Sequence, residues 1–580
     1  MKSILKIFKI FTPKQLRYCG LIVLAMLVGA MLEAVGIGAI LPLVSIMGQP
    51  DFLERHQEIA QVLAAFGITD HITFIIVSEA GLIFVYLLKN AYMAWETKLQ
   101  IDFSIKNQIV FTRELMANYL CKPYIFHLNH NSAILLRNVG CIGSNIFNGI
   151  LIPTFSLLTE VITAATIWFM LAIVDPFTAI VVAGIMGTMM YAIIRSFRKK
   201  IDRQANIQND YIVVYSKNLL QSLGSIKETK VMCKEPYFLN AFADGYTNFS
   251  NANRKFLFIN QLPRIIIETL VVSGLLLLII VKLLMGNEPM DIVPLLGVLS
   301  LAAFRLMPSA NRIVNVYNGI KFQQPLFNEL FPELIEIRNR HVNNRESYYL
   351  TQQPKLPFNN SIEVNNLRYK YPEGQDEVLQ GVSFTIKKAD FAGIVGPSGA
   401  GKTTFVDILL GLLKPSDGNI KVDGQDIFDN IRSWQANLAY VPQSIYLIDG
   451  SVKENIALGV APENIDNARV EKSLHMAELY DFVLDLPEGM ETRVGERGVK
   501  LSGGQRQRIG IARALYQQTE VLILDEATSA LDNDTEKSIT DTILKLKGQI
   551  TIIAIAHRLS TLAECDYKIE FADGKASVLR

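Results

Sequence analysis

The sequence predicts two parts of different fold class: a membrane domain of α-helices, followed by an α/β domain of the P-loop type. The first half of the 580-residue chain is rich in apolar stretches long enough to cross a membrane. Residues 396–403 have the glycine pattern of a phosphate-binding loop. Composition agrees, since 50% of the residues are hydrophobic and the mean hydropathy is +0.26, which is high for a soluble protein.

Six apolar segments are candidates for membrane-spanning helices, since a span takes about 20 mostly apolar residues. They cover residues 18–47, 72–95, 148–173, 176–195, 262–285 and 291–314. Basic residues cluster before the first span, between the second and third, and after the fourth, whereas the other connections are short or acidic. The positive-inside rule therefore predicts that both termini and the P-loop domain lie in the cytoplasm.

Two of the cytoplasmic connections are long and are not rich in proline or glycine, so we expect their helices to continue out of the membrane. Each contains a short break marked by proline. The first break covers residues 121–124 and the second break covers residues 234–237. We interpret both as elements that couple the P-loop domain to the spans; two ordinary helix–helix corners are the alternative.

Composition also predicts the domain boundaries. The chain turns polar near residue 333, and short β-rich runs begin at Ser361. We therefore predict a membrane domain over 1–330, a linker over 331–360 and a nucleotide-binding domain over 361–580.

Charge and cysteine content exclude some classes of function. The 56 basic and 55 acidic residues leave a net charge of +1, which gives no sign of nucleic-acid binding. The five cysteines are scattered, without a CxxC pair, which predicts reduced thiols and no metal–thiolate site.

The phosphate-binding loop lies between an apolar strand, 391–395, and a segment with helical composition. Its glycines allow backbone N–H groups to surround phosphates, and the helix N-terminus adds the positive end of its dipole. Lys402 is expected to reach the β- and γ-phosphates of ATP, and the Thr403 hydroxyl to bind Mg²⁺. The candidate ATP-binding residues of this segment are Gly396, Pro397, Ser398, Gly399, Ala400, Gly401, Lys402, Thr403 and Thr404.

A second apolar strand, 521–524, ends in two acidic residues. Asp525 is expected to complete the coordination of Mg²⁺, and Glu526 to face the attacking water as a general base. A buried strand that ends in acids is also typical of a capped turn, but the P-loop upstream favours the catalytic interpretation.

The stretch Leu501-Ser502-Gly503-Gly504-Gln505 resembles the signature sequence of the ATP-binding cassette (ABC) family. It is a glycine-rich stretch that opens a helix, and so offers a second helix end for an anion. The resemblance implies that Ser502, Gly503, Gly504 and Gln505 cap the γ-phosphate held by the other subunit, and hence that the chain forms a homodimer with two ATP sites.

Further residues match the family in chain order. Tyr371 resembles the aromatic that stacks on adenine, Gln443 the residue that links Mg²⁺ and water to the membrane domain, and His557 the switch histidine at the γ-phosphate. Asp532 lies in a segment that resembles the D-loop. Singly, each has an ordinary structural interpretation, but the ordered set resembles a complete ATPase. It implies that Gln443 and His557 act with Glu526 in catalysis, with Gln443 also near Mg²⁺.

A membrane domain that precedes the ATPase in one chain resembles the ABC exporters, which implies a substrate taken from the cytoplasm or the inner leaflet. Charged residues inside spans are costly, so each is a functional hypothesis. Arg305 and Arg312 are two helical turns apart on one face of the sixth span. Facing a central cavity with Arg264, they would form a guanidinium cluster suited to phosphate or pyrophosphate. Snorkelling to lipid headgroups, or pairing of Arg305 with Glu33 or Glu268, is the alternative.

The segment Phe304-Arg305-Leu306-Met307-Pro308-Ser309-Ala310-Asn311-Arg312, with Pro263-Arg264 and Asn90-Ala91-Tyr92, resembles the bacterial lipid-linked oligosaccharide flippases of protein glycosylation. The resemblance implies a flippase in the bacterial inner (plasma) membrane that moves a polyprenyl-pyrophosphate oligosaccharide, with Lys89, Arg264, Arg305 and Arg312 at the substrate. In one departure, Tyr86 stands, with Lys89 nearby, where an arginine is expected.

Two alternatives remain open. An exporter of lipids, drugs or peptides would have an aromatic cavity that is indifferent to loss of the arginines. A soluble ABC ATPase of translation or DNA repair would use the apolar segments as core helices, but six spans with a consistent charge bias disfavour it.

Overall fold

The computed structural model describes residues 2–38, 71–174, 176–284, 289–343, 353–372, 374, 376–526, 533–555 and 562–579. The chain divides into two compact units. The first unit consists of Met1–Lys122 and Asn129–Tyr349, and the second consists of Pro123–Leu128 and Leu350–Arg580.

The first unit is helical. Its helices are α1 Lys2–Phe8, α2 Pro13–Gly38, α3 His71–Leu120, α5 Ser132–Cys141, α6 Ile152–Val174, α7 Pro176–Gly224, α8 Ile226–Val231, α9 Glu235–Leu284 and α10 Pro289–Asn343, while α4 Tyr124–Asn129 contributes to the second unit. Four of them are 49 to 55 residues long. At 1.5 Å per residue they exceed the roughly 30 Å hydrocarbon core of a bilayer, which confirms that the helices continue beyond their apolar segments.

Four helices within the described residues are long and apolar enough to cross a membrane. Their qualifying segments are Pro13–Gly36, Ile72–Leu120, Asn145–Phe169 and Glu235–Gly274. The predicted spans 176–195 and 291–314 lie on α7 and α10, where many side chains fall outside the described residues, as do residues 39–47 of the first predicted span.

A π-helix, Ile142–Leu151, joins α5 to α6. Its apolar side chains Ile146, Phe147 and Ile150 are fully buried. A Cβ atom on Gly143 would lie 2.3 Å from Gln108 Nε2, so glycine allows the π-helix to approach α3 closely. π-Helices are rare and often mark functional regions.

The two proline-marked breaks have different surroundings. Pro123–Leu128, which begins inside the first break, belongs to the second unit, where Ile125 packs against the hydrophobic core. Around the second break the apolar side chains are exposed, with Val231 at 77% and Tyr237 at 68%. Cys233 beside it is the exposed member of the five free cysteines; Cys19 is buried and the other three are partly covered.

The second unit contains two sheets. Its strands are β1 Ser361–Tyr369, β2 Leu379–Lys387, β3 Phe391–Val395, β4 Asp417–Val422, β5 Gln425–Asp426, β6 Leu438–Val441, β7 Val521–Asp525, β8 Thr551–Ile555, β9 Tyr567–Ala572 and β10 Lys575–Leu579. One sheet has the order β2-β1-β4-β5 and is antiparallel. The other has the order β10-β9-β3-β8-β7-β6 and is parallel except for β10.

After α4, the helices of the second unit are α11 Lys402–Leu409, α12 Ile431–Gln435, α13 Val452–Ile456, α14 Asn467–Met476, α15 Tyr480–Leu484, α16 Gly503–Tyr516 and α17 Asn533–Leu546. Helix α11 follows β3 and α16 precedes β7, and both matter for the site. The central strands β3, β7 and β8 are almost wholly buried, as expected for parallel strands covered on both faces. Because parallel strands end at one edge, this topology brings the residues after β3 and β7 together. At the domain boundary, α10 runs to Asn343, inside the predicted linker, and β1 begins at the predicted Ser361.

Candidate functional site

The P-loop follows β3 and turns sharply into α11. Gly396 has φ 140°, and a Cβ atom there would lie 2.2 Å from the carbonyl oxygen of Phe571. Gly401, with φ 97°, caps α11, and a Cβ atom there would meet Leu379 Cδ2 at 2.8 Å. These two positions therefore require glycine. Pro397, Ser398 and Gly399 are exposed between them.

Lys402 lies inside the curve of this loop. Its ammonium donates hydrogen bonds to the carbonyl oxygens of Gly396, at 2.7 Å, and Pro397, at 2.8 Å. The side chain is only 5% exposed, and burial lowers the pKa of Lys402, while the charges of Glu526 and Asp525 oppose that shift. A buried cation in a ring of backbone groups suits a polyphosphate.

Asp525 ends β7 next to this loop. Burial raises its pKa, whereas the Tyr440 hydroxyl, which donates to Asp525 Oδ2 at 3.1 Å, lowers it. A second carboxylate, Asp407 on α11, has its pKa raised to about 6 by burial and by the charge of Asp525. The two carboxylates are close enough to repel each other, and a bound cation would relieve that repulsion.

These groups fit Mg²⁺ as part of a nucleotide complex. The Thr403 hydroxyl is exposed, and the carboxylate of Asp525 is a hard oxygen ligand of the kind Mg²⁺ prefers. Among the described residues, no three His, Cys, Asp or Glu side chains are grouped to hold a metal by themselves. Thr403 and Asp525 would hold Mg²⁺ together with phosphate oxygens and water, which is the usual coordination of this ion at nucleotides.

Glu526 and Gln443 are in direct contact. Gln443 Nε2 donates to Glu526 Oε2 at 2.7 Å. Glu526 has φ 48°, and its backbone N–H donates to the carbonyl oxygen of Ile555. This conformation is strained for a residue other than glycine, and such strain is often found at functional sites. The fold thus brings together the predicted base and the predicted glutamine, which lie 83 residues apart in the sequence.

Tyr371 also lies beside the P-loop helix. Its hydroxyl is 3.3 Å from Thr404 Oγ1, and its ring packs edge-on against Tyr369 with centroids 5.0 Å apart. The ring is thus held next to the first turn of α11, and its stacking on adenine stays a prediction.

The signature segment begins α16. Ser502 caps the helix, because its Oγ accepts from the N–H of Gln505 and Gln505 Oε1 accepts from the N–H of Ser502. This capping box leaves Ser502 and Gly503 exposed, and a Cβ atom on Gly503 would meet nothing within 4 Å. Gly504 follows in the first turn of the same helix. The helix end is thus open to a ligand from outside.

Two predicted ATP-site residues, Asp532 and His557, lie outside the described residues. Two residues at the site were missed from the sequence, Tyr440 and Asp407. Tyr440 lies three residues before Gln443, and the parallel pairing of β6 with β7 places it across from Ile523. That strand pairing was the missing information.

Three of the four predicted substrate-site cations, Lys89, Arg264 and Arg312, have described side chains, and their surroundings differ. Lys89 is 7% exposed, and its ammonium lies 4.7 Å from the Tyr86 ring centroid. Arg312 forms an ion pair with Glu160 at 2.9 Å, and Arg264 is exposed. The backbone of Arg305 lies in α10, two turns before Arg312, while its side chain falls outside the described residues.

Comparison with known proteins identifies the class of fold. Residues 379–529 match the family model described as ABC transporter. Over its length the structure resembles that of a bacterial Atm1-family ABC exporter with ATP bound, with a TM-score of 0.73, 23% sequence identity and 94% of both chains covered. The chain therefore has the ABC exporter fold, a helical membrane domain followed by an ATP-binding cassette domain.

Sequence relatives agree with this class. ABC transporter B family member 29, chloroplastic, of Arabidopsis thaliana is 32% identical over 367 residues, 63% of this chain and 56% of the relative. The ATP-dependent lipid A-core flippase of Cupriavidus pinatubonensis is 41% identical over 211 residues, 36% of each chain. This chain covers between 16% and 56% of the length of these and other curated relatives.

Proposed function

We propose that this chain is a homodimeric ABC exporter of the bacterial inner membrane that uses ATP hydrolysis to flip a polyprenyl-pyrophosphate oligosaccharide from the cytoplasmic to the outer leaflet. The observation that supports ATP hydrolysis most strongly is the contact between Gln443 and Glu526, directly after Asp525 and beside Lys402.

The hydrolysis step follows from these residues. Lys402 and the P-loop N–H groups bind the phosphates, and Thr403 and Asp525 would hold the Mg²⁺ that neutralises them. Glu526 accepts a proton from water, whose oxygen attacks the γ-phosphorus while the bond to the β–γ bridging oxygen breaks. ADP and inorganic phosphate are the products. Gln443 holds one carboxylate oxygen of Glu526 in place.

Two exposed surfaces support a homodimer. The signature helix end at Ser502 and Gly503 is open, and a second copy with its own P-loop and nucleotide would complete it. The apolar side chains around the second break are equally open, whereas Ile125 beside the first break packs into the ATPase unit. We infer that the region around the second break takes part in an interface with a second copy, since large exposed apolar side chains favour an interface.

The substrate class rests on the arginines of the membrane domain. Arg264 is exposed, and Arg305 and Arg312 lie on one face of α10. Guanidinium groups bind phosphate oxygens in pairs, and a pyrophosphate-linked lipid offers several of these. The similarity to a protein named a lipid A-core flippase is consistent with an amphiphilic glycolipid as substrate.

Translocation in proteoliposomes tests this proposal. A polyprenyl-pyrophosphate oligosaccharide is added with ATP, and wild type is compared with Glu526→Gln and Arg305→Ala. We expect wild type to move the lipid, Glu526→Gln to lose both hydrolysis and transport by about 100-fold or more, and Arg305→Ala to hydrolyse ATP without moving the lipid.

Arg198→Ala is the matched control for Arg305→Ala, since the Arg198 side chain is 60% exposed and lies in the cytoplasmic part of α7. It should transport as wild type does. If wild type hydrolyses ATP and never moves this lipid, the flippase assignment fails.

A general exporter of lipids, drugs or peptides is the second candidate. The burial of Lys89 against Tyr86 favours it, because that lysine is covered and not presented to an anion. Transport of apolar compounds that is indifferent to Arg305→Ala would support this candidate.

A further inference from the structure

Arg312 on α10 and Glu160 on α6 form an ion pair between two helices of the membrane domain. Arg312 Nη1 lies 2.9 Å from Glu160 Oε1. The two side chains differ in exposure, at 57% for Arg312 and 14% for Glu160. The carboxylate is thus anchored in the helix packing, while most of the guanidinium faces open space.

A second acid next to α6, Glu96 of α3, has its own hydrogen-bond partners. Glu96 is 3% exposed, and its Oε1 accepts hydrogen bonds from Gln100 at 2.9 Å and from Thr159 at 3.4 Å. Glu96 therefore belongs to a separate hydrogen-bonded group. The acid that pairs with Arg312 is Glu160.

A guanidinium has five N–H donors, and one carboxylate uses two of them at most. Phosphate oxygens accept hydrogen bonds from the same donors, often as a bidentate pair, and a pyrophosphate carries more charge than a carboxylate. An anionic headgroup that reaches Arg312 therefore competes with Glu160 for the same group. When the headgroup leaves, the carboxylate is still in reach.

We propose that Glu160 is a displaceable counter-ion that sets the affinity of Arg312 for the phosphate groups of the substrate. Bound substrate separates the pair, and the returning carboxylate favours release. Glu160 is a specificity-determining residue in this scheme, because only a substrate group more strongly anionic than a carboxylate displaces it. The inference rests on the proposed function and concerns the same site.

The first test measures stimulation of ATP hydrolysis by the polyprenyl-pyrophosphate oligosaccharide in proteoliposomes. Glu160→Gln should lower the half-stimulating lipid concentration about three- to five-fold, the size expected for a solvent-accessible ion pair. Glu268→Gln is the matched control, since Glu268 is exposed and has no ion pair among the described residues; it should leave that concentration unchanged.

The double variant Glu160→Gln with Arg312→Ala should show no gain over Arg312→Ala alone. A gain that persists without Arg312 overturns the proposal. So does a Glu160→Gln variant that binds lipid more weakly and melts at lower temperature, because the pair is then purely structural.

A second measurement separates this inference from the flippase assignment. Modification of the Arg312 peptide by phenylglyoxal is followed by mass spectrometry, with inorganic pyrophosphate as protectant. In Glu160→Gln the modification should be faster, and protection should need less pyrophosphate, than in wild type or Glu268→Gln. Equal behaviour of all three overturns the counter-ion role, whether or not the lipid is transported. In another outcome, the lipid fails to stimulate ATP hydrolysis by wild type while Glu160→Gln still differs from the other two proteins in its modification by phenylglyoxal. That result overturns only the flippase assignment.

Discussion

Two buried lysines, one in each unit, show how differently the two parts of the chain hold a charge. Lys402 is 5% exposed and donates to carbonyl oxygens five and six residues earlier in its own loop. Lys89 is 7% exposed; its ammonium faces the Tyr86 ring one turn away, and its Cδ would lie 3.6 Å from a Cβ atom on Gly36 of α2. Backbone groups hold the first, and side chains and helix packing hold the second.

The difference determines what the sequence reveals. A loop that surrounds its own lysine is encoded within eight residues, so the pattern 396–403 predicts both the geometry and the chemistry. A lysine covered by another helix depends on which helices meet, and no short pattern records that. The sequence predicts that Lys89 contacts a substrate, but it carries no signal that Tyr86 and α2 lie against this lysine.

The largest expected effect separates the two lysines. Lys402→Met removes the cation that binds the phosphates, and we expect ATP hydrolysis to fall by about 100-fold or more, as for other single groups that stabilise transition-state charge. Lys89→Met replaces a covered cation with an apolar chain of similar length and should retain most of the hydrolysis. Phosphate release by the purified protein at saturating Mg²⁺-ATP measures both. Equal losses would contradict the comparison.

Tyr440→Phe sharpens the account of the ATP site. Loss of the hydroxyl that donates to Asp525 should raise the Mg²⁺ concentration for half-maximal hydrolysis about three- to ten-fold, the size of one hydrogen bond. The maximal rate should change little, because Asp525 itself remains. Tyr446→Phe, at an exposed tyrosine, is the control. A lower maximal rate with unchanged Mg²⁺ dependence would show that Tyr440 acts on another step.

Two glycines of α2 test the helix packing around Lys89. A Cβ atom on Gly29 would lie 2.5 Å from Glu96 Oε2, whereas one on Gly36 would make ordinary contacts at 3.6 Å. Both substitutions to Ala gain the same helix propensity, up to about 1 kcal/mol. Gly29→Ala should therefore melt lower than Gly36→Ala, by the equivalent of about 1 kcal/mol. Thermal unfolding in detergent measures this, and equal melting temperatures would mean that Glu96 moves away freely.

The smallest expected effect is on thermal stability and concerns the carboxylate of Asp423. Backbone groups hold this carboxylate, as they hold the ammonium of Lys402. Slight burial raises the pKa of Asp423, but the N–H groups of Ser361, Asn359 and Asn360 donate to it and leave the pKa below its ordinary value. Because the pKa is lowered in the folded state, the ionised carboxylate stabilises the fold at pH values above its unfolded-state pKa of about 4. This stabilisation is lost as the pH falls through the folded-state pKa. Asp423→Asn should thus melt slightly lower than wild type at pH 7, and the difference should shrink as the pH falls below about 4. A difference in melting temperature that does not change with pH would show that the substitution acts through packing.

Particular residues show the limits of prediction from this sequence. Asp525 and Glu526 were predictable because they end an apolar strand after a P-loop. Tyr440 was not, since the pairing of β6 with β7 decides that it meets Asp525. The pairing of Arg312 with Glu160 was equally hidden, because it depends on which faces of α6 and α10 meet. Hydropathy located the apolar parts of helices that continue far beyond them, since only the membrane part is apolar.

The exposure of Cys233 has a practical consequence. It lies beside the second break, while the other four cysteines are buried or partly covered. The natural chain therefore already carries one preferred attachment point for a spin label, without cysteine substitution. In a dimer, two such labels form a pair whose separation electron paramagnetic resonance can measure. Adding nucleotide to the labelled protein would then report directly whether the regions around the second break move relative to each other.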